Sequence, residues 1–223
     1  MLSFTTAVTV AVEAGIRVYP YRWRDNTAAE FAARNHAVLA VGRSAVNATT
    51  PWSLSPAALR RAPFTPRLVL PSPNGSAIAA TAHGMPVVAG CLRNAAATAR
   101  WLTERDFGMD AAPVSVVAAG ERWPDDSLRP ALEDLLGAGA LIAALQQHRA
   151  GPLSPEAAAA AACYTGTGDV AVSLSACTSG VELISGGYAD DVAIAAAVDS
   201  CTTVPVLTDG AFTADPAPPR ATD

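Results

Sequence analysis

Residues 67–102 constrain the fold of this chain most strongly, because they contain the same three-part unit twice. Each unit consists of a short apolar run, a polar turn and a helix rich in small residues. The apolar runs are residues 67–70 and 86–91, and the helices that follow are residues 77–82 and 95–102. Short apolar runs between turns and helices are typical of buried strands in α/β sheets. The stretch therefore predicts two successive strand–turn–helix units.

The turns of these units carry polar side chains at the ends of the predicted strands. Asn74, Ser76 and Asn94 stand there, and ligands in open α/β sheets bind at the carboxyl ends of strands. The backbone N–H groups of the next helix could also hold an anion. A second interpretation stays open, since Asn-Gly is a common turn dipeptide and Asn or Ser before a helix is a frequent N-cap.

The rest of the chain alternates helices and strands, which predicts an α/β fold. Helices are expected at 7–15, 25–36, 55–60, 131–141, 154–164, 178–184 and 190–198, and further strands at 16–19, 37–41, 114–118 and 204–207. Residues 165–175 are interpreted as loop and strand, and the loop at 47–66 as a solvated segment or a lid. His83, before Gly84, is interpreted as a helix C-cap.

Length and composition favour one large unit with a substantial core. The 223 residues are 51% hydrophobic, with a mean hydropathy of +0.25. We expect a three-layer assembly around a largely parallel or mixed sheet over residues 1–212, with two subdomains as the alternative. Residues 213–223, with three prolines, are predicted to be disordered. The first helix lacks the strand that normally precedes it, so a strand is expected upstream of Met1.

Charge and cysteine usage exclude several classes of function. A net charge of −5 and the lack of a basic cluster argue against nucleic-acid and anionic-membrane binding. No apolar run reaches the roughly 18 residues of a membrane span. The four cysteines form no CxxC or Cys/His cluster, which argues against zinc and a disulfide framework. The sequence thus predicts a cytoplasmic protein with a small-molecule partner, and it allows a homodimer.

Acidic residues follow the predicted strand at 114–118 and open the next helix. They are Glu121, Asp125, Asp126, Glu133 and Asp134. Carboxylates are hard oxygen ligands, and Mg²⁺ takes one or two of them together with waters and substrate phosphate. Acids in the first turn of a helix can also simply favour its macrodipole. We prefer that second interpretation for Asp125 and Asp126 and leave both open for the other three.

The ordered set of motifs resembles the 2-phosphosulfolactate phosphatase family over nearly the whole chain. The set comprises SFTTAVTVAVEAGIRVYP at 3–20, PNGS at 73–76, GCLRNAAATARWL at 90–102, VVAAGERW at 116–123, ALEDLLGAGALI at 131–142, SGVELISGGYADDVAIAAAVD at 179–199 and VPVL at 204–207. The NG[ST] turn, the AGE strand end and the LEDxxxAG helix carry most of the resemblance.

This resemblance implies an α/β fold and Mg²⁺-dependent hydrolysis of a phosphate ester on a small sulfonated hydroxy acid, in coenzyme M biosynthesis. It further implies a substrate-binding set and an acidic set. The implied substrate-binding residues are Thr5, Thr6, Asn74, Gly75, Ser76 and Asn94. The implied catalytic residues are Glu121 and Asp134, and the implied metal ligands are Glu121, Glu133 and Asp134.

The start of the chain departs from the family pattern. The family has an Asp before a segment like LRATST; that Asp is absent here, and Ser3 stands near the position of the arginine. Loss of a carboxylate could remove a metal ligand or a nucleophile, and loss of arginine weakens bidentate recognition of an anion. The alternative function is therefore a non-catalytic protein that binds small anions. Cys91 lacks the CxxxxxR arrangement of cysteine phosphatases and is interpreted as a packed residue.

Overall fold

A computed structural model describes residues 1–22, 25–82, 84–125, 127–148 and 150–215. His83, Asp126 and residues 216–223, which the sequence predictions concern, lie outside the described residues. The described chain forms helices and strands in alternation around one five-stranded sheet, with a separate two-stranded sheet. The α/β prediction is confirmed.

Ten α-helices and seven strands lie within the described ranges. The helices are α1 (Phe4–Glu13), α2 (Asn26–Arg34), α3 (Pro56–Arg61), α4 (Gly75–Thr81), α5 (Ala95–Thr103), α6 (Leu132–Gln147), α7 (Pro155–Thr165), α8 (Val170–Ala176), α9 (Thr178–Ser185) and α10 (Ala189–Ala196). The strands are β1 (Arg17–Tyr21), β2 (Val38–Leu39), β3 (Arg67–Pro71), β4 (Glu121–Arg122), β5 (Leu128–Arg129), β6 (Pro205–Thr208) and β7 (Ala211–Ala214). None of the described helices is both long and apolar enough to cross a membrane.

The main sheet has the strand order β2-β3-β1-β7-β6 and is mixed. The pairs β1–β3 and β2–β3 are parallel, with Val18 opposite Leu68, whereas β1–β7 and β6–β7 are antiparallel. The parallel part follows from the helices that connect its strands, and the antiparallel part from the tight turn between β6 and β7. The prediction of a largely parallel or mixed sheet is confirmed.

Successive residues of the central strands point to opposite faces, so helices cover both sides of the sheet. On one face, Val18 and Leu68 join α1 in the largest apolar cluster. On the other face, Tyr19 and Val69 pack with Ala32 of α2. This arrangement gives the predicted three layers. A further cluster, centred on Leu136 of α6, joins the helical second half of the chain.

Two of the three predicted central strands do not form. Residues 86–91 run beside β6, but only Val88 bridges to Val206, because Pro86 and Pro205 lack the N–H groups that a longer ladder needs. Residues 114–118 belong to no described strand. Val114 and Val116 are partly buried against the cluster of Trp101 instead, so this apolar run packs without pairing.

Two further predictions differ from the structure. Residues 165–175 were expected to be loop and strand, but they contain the start of α8, because the Asp169 side chain caps that helix by accepting from Val172 N–H at 3.0 Å. Strand β7 extends to Ala214, into the first residues of the stretch predicted to be disordered.

Candidate active site

A cavity of about 840 Å³ lies where α1 begins, beside the turn between β3 and α4, residues 113–121 and the first turn of α6. Its volume falls within the range of small-molecule pockets, which is roughly 300–1,000 Å³. The predicted site residues that line it are Thr5, Asn74, Gly75, Glu121, Glu133 and Asp134. Residues from distant parts of the chain therefore meet at one place.

Asn74 and Glu121 join two of these segments directly. Asn74 is the N-cap residue of α4, yet its side chain makes no capping bond. Its Nδ2 instead donates to Glu121 Oε1 at 2.7 Å. The same oxygen accepts from Arg122 N–H at 3.1 Å, which leaves Oε2 without a hydrogen-bond partner among the described residues. The capping interpretation thus does not account for the Asn74 side chain.

Glu133 and Asp134 are buried in the first turn of α6, whose N-cap residue Ala131 offers no side-chain cap. Asp134 accepts from Gly120 N–H at 2.7 Å and contacts the Met1 amino group. Glu133 accepts from the Cys177 thiol at a sulfur–oxygen distance of 3.5 Å. Both acids complement the macrodipole of α6 while they line the cavity. The two interpretations offered by the sequence are therefore compatible here.

Thr5 and Gly75 form another part of the wall. Thr5 Oγ1 is buried and has no hydrogen-bond partner among the described residues. At Gly75, an added Cβ would collide with the ring of Phe4. Only glycine therefore lets the start of α4 approach the start of α1 so closely.

Thr6, Ser76 and Asn94 are fully buried and do not line the cavity. Thr6 Oγ1 donates to Met1 O at 2.9 Å, and Ser76 Oγ donates to Leu70 O at 2.8 Å. Asn94 Oδ1 accepts from Cys91 N–H at 2.9 Å, while its Nδ2 donates to Ala89 O and Thr203 O at 3.2 and 3.1 Å. These side chains hold backbone segments together. Neither of the two predicted for turns caps the next helix, because Ser76 lies inside α4 and Asn94 makes no side-chain capping bond to α5.

Arg43, Glu182 and Tyr188 are among the polar residues of the wall that were not predicted from the sequence. Arg43 follows β2, so the rule that singled out the residues after other strands could have found it. The positions of Glu182 and Tyr188 in the helical half of the chain gave no such signal. Their proximity to the cavity depends on how α9 and α10 pack.

Glu182, which lines the cavity, and its partner Arg129 have shifted pKa values because they pair. Arg129 Nη1 and Nη2 donate to Glu182 at 2.6 and 2.9 Å. This hydrogen bonding raises the pKa of Arg129 and lowers the pKa of Glu182. Burial raises the pKa of the Cys177 thiol, and the neighbouring Glu133 adds to that effect. Cys177 is therefore held as a thiol rather than as a nucleophilic thiolate.

The acids of the wall offer hard oxygen donors. Among the described residues, no group of three or more His, Cys, Asp or Glu side chains is arranged to hold a metal ion by itself. A cation of the Mg²⁺ type takes one or two protein carboxylates and completes its shell with water and substrate oxygens. All four cysteines are free thiols.

Comparison with protein-family models gives one finding for the chain. The model of the family described as 2-phosphosulpholactate phosphatase matches residues 1–210. No curated protein matches the chain.

Proposed function

The chain belongs to the 2-phosphosulfolactate phosphatase family, and we propose that it hydrolyses a small anionic phosphate ester, 2-phosphosulfolactate, to sulfolactate and phosphate with the help of Mg²⁺. The observation that carries the proposal is the meeting of Glu121, Asn74 and Asp134 in one cavity. Family membership gives the reaction class, a phosphatase. The substrate and the metal are proposed from the resemblance to that family, and the acids of the cavity wall support the metal.

The charge of the wall supports a requirement for a divalent cation. Its described side chains include four carboxylates, from Glu121, Glu133, Asp134 and Glu182, and the guanidinium of Arg43. A carboxylate about 4 Å from a phosphoryl oxygen costs about 4 kcal/mol at an effective dielectric constant of about 20. Asp134 and Glu182 already pair with the Met1 amino group and with Arg129. A phosphate dianion beside Glu121 and Glu133 therefore needs further positive charge.

Glu121 and Asp134 are the residues proposed to hold Mg²⁺, with Glu133 beside them. When bound, the cation would neutralise phosphoryl oxygens and lower the barrier to in-line attack. The chain's own groups prepare this arrangement. Asn74 fixes the orientation of the Glu121 carboxylate, and Gly120 N–H fixes that of Asp134. Preset ligands reduce the reorganisation that binding requires, and the Met1 amino group that contacts Asp134 would move aside for a cation.

The test is a hydrolysis screen of small phosphate esters, including 2-phosphosulfolactate, with and without Mg²⁺. We expect phosphate release only with the cation, and the highest kcat/KM for esters that carry a second acid group. Equal rates after chelation would disprove the proposed metal. Binding of the esters without any turnover would favour the alternative of a non-catalytic anion-binding protein.

A further inference from the structure

Arg43 is the one positively charged side chain among the described residues that line the cavity. The sequence contains no lysine, so arginine supplies every permanently cationic side chain of the protein. A guanidinium recognises planar or tetrahedral oxyanions through two parallel N–H donors. The position of this arginine therefore decides where the cavity can receive an anion directly.

The guanidinium of Arg43 is held in place from one side. Its Nε donates to Asp191 Oδ2 at 2.9 Å, and its Nη2 donates to Ser3 Oγ at 2.9 Å. The ring of Tyr188 lies 5.6 Å from the guanidinium carbon, within range for a cation–π contact. Nη1 has no hydrogen-bond partner among the described residues, and 17% of the side chain is exposed. Arg43 therefore lines the cavity with donor capacity left on its guanidinium.

Asp191 keeps this arginine oriented. The carboxylate is fully buried and also accepts from Ser55 Oγ at 2.6 Å and from Ala57 N–H at 3.0 Å. Arg43, residues 55–57 and α10 therefore meet at one buried carboxylate. A buried carboxylate with these bonds cannot swing away, so the arginine that pairs with it loses little further freedom when it binds an anion.

The arginine and the acids occupy neighbouring parts of the wall. Arg43 bonds to Ser3, whereas Asp134 contacts Met1. Ser3 and Met1 are two residues apart in the chain, and Arg43 and Asp134 line the same cavity, so both groups are available to one bound molecule. If the acids hold a cation, the phosphate group of the substrate binds beside them. A second anionic group of the same molecule then meets Arg43.

We infer that Arg43 binds one of the two acid groups of 2-phosphosulfolactate that are not transferred, the sulfonate or the carboxylate, and so selects esters that carry an acid group besides the phosphate. This inference rests on the proposed phosphatase function. Arg43 acts on binding and orientation and takes no part in the bond that breaks. Removing it should weaken recognition of esters that carry further acid groups more than recognition of esters with phosphate alone.

The experiment compares the wild type with Arg43→Lys and Arg43→Ala on two substrates in the presence of Mg²⁺. One substrate is 2-phosphosulfolactate, and the other is p-nitrophenyl phosphate, which has no second acid. For the first, we expect KM to rise at least tenfold in Arg43→Ala and less in Arg43→Lys, which keeps the charge but loses the planar fork. For the second, kcat/KM should fall much less than for the first. Equal losses on both substrates, or no loss on either, would overturn the inference.

A binding measurement makes the test independent of turnover and of folding defects. Sulfolactate, which lacks phosphate, is titrated calorimetrically into wild type and Arg43→Lys, with Arg61→Ala as the matched control. Arg61 forms an exposed pair with Asp190, the neighbour of Asp191, at 3.5 Å. We expect weaker binding only in Arg43→Lys, and unchanged binding there would refute the role of Arg43. Absence of hydrolysis in the wild type would instead count against the proposed function alone.

Discussion

At the scale of single residues, the polar side chains predicted for the site fall into two groups. Some line the cavity, and the others form hydrogen bonds to backbone groups away from it. Asn74 and Asn94 both follow apolar runs and both precede helices, yet one meets Glu121 and the other bonds only to backbone groups. Sequence position predicted that both would be polar and near strand ends. It could not show which way each side chain points, because that depends on which segment lies opposite.

The roles proposed for the acids, and the lack of one for Cys91, lead to a direct prediction about turnover. Glu121→Gln and Asp134→Asn should each lower kcat with 2-phosphosulfolactate by two or more orders of magnitude, because a carboxamide is a poor Mg²⁺ ligand. The measurement is steady-state hydrolysis over a Mg²⁺ titration. Cys91→Ser is the matched control, since Cys91 is buried beside Thr9 Oγ1 at 3.5 Å and does not line the cavity.

Cys91→Ser should keep its turnover within a few fold of the wild type. Loss of activity in a folded Cys91→Ser protein would point to a thiol nucleophile and contradict the assignment. Full activity in both carboxamide variants would equally contradict it. Circular dichroism of each variant shows whether it has folded.

At the scale of elements, helices were predicted better than strands, for a physical reason. Helices carry their signals locally, as in α3, where Ser55 Oγ accepts from Ala58 N–H at 3.1 Å and Pro56 begins the helix. A strand also needs a partner, which the sequence does not specify locally. Residues 114–118 have the apolar content of a strand, but the described sheet pairs none of them.

Close packing of α6 against α7 depends on Gly139. A Cβ at this position would collide with the Ala160 carbonyl oxygen and lie 2.8 Å from Tyr164 Cβ. Gly139→Ala should therefore lower the free energy of unfolding by about 1–3 kcal/mol or more through overpacking. In an unpacked helix interior, the same change would add up to about 1 kcal/mol of stability. Urea denaturation shows whether the free energy of unfolding falls or rises in the variant.

Gly137→Ala in the same helix is the control. Its added Cβ would approach the Met1 side chain, with Sδ at 2.7 Å, and this flexible chain can move. We expect that variant to unfold within about 1 kcal/mol of the wild type, because the helix propensity of alanine offsets a small rearrangement. If Gly139→Ala matched Gly137→Ala in stability, the α6–α7 contact would be looser than described.

The ion pair between Arg129 of β5 and Glu182 of α9 joins the small sheet to the helical half of the chain. Its strength depends on the protonation of Glu182 and therefore on pH. Its hydrogen bonds hold the pKa of Glu182 below the ordinary value of 4.5. A lowered folded-state pKa stabilises the fold above the unfolded pKa, and that contribution is lost as pH falls through the folded value. Since the Glu182 side chain is 57% exposed, the effect should be about 1 kcal/mol or less.

Glu182→Gln tests this contribution. The variant should be less stable than the wild type at pH 7, and the difference should shrink at low pH, as the wild-type carboxylate is protonated below its lowered folded-state pKa. Urea unfolding at both pH values measures it. Glu30→Gln, in the exposed pair with Arg34 at 4.0 Å, should show little difference at either pH. A Glu182→Gln deficit that persists unchanged at low pH would mean that packing, not charge, is lost.

At the scale of the whole molecule, the sequence predicted the fold class and the layers but not the order of the strands in the sheet. The sites of individual strands follow from local apolar runs, whereas strand order follows from pairing between distant segments. β1 has β3 on one side and β7 on the other, with Val18 opposite Phe212. No local pattern in the sequence indicates that the last described strand lies beside the first.

The pairing of β1 with β7 sets an order of events during synthesis. A ribosome makes β1 early and its antiparallel neighbour about 190 residues later, which takes on the order of 10 to 40 s at typical elongation rates. Throughout that interval one side of β1 presents unpaired backbone groups, which invite pairing with other chains. Yield in a cell should therefore depend on chaperones that shield the nascent chain, and slower elongation should lengthen the period in which that shielding is needed.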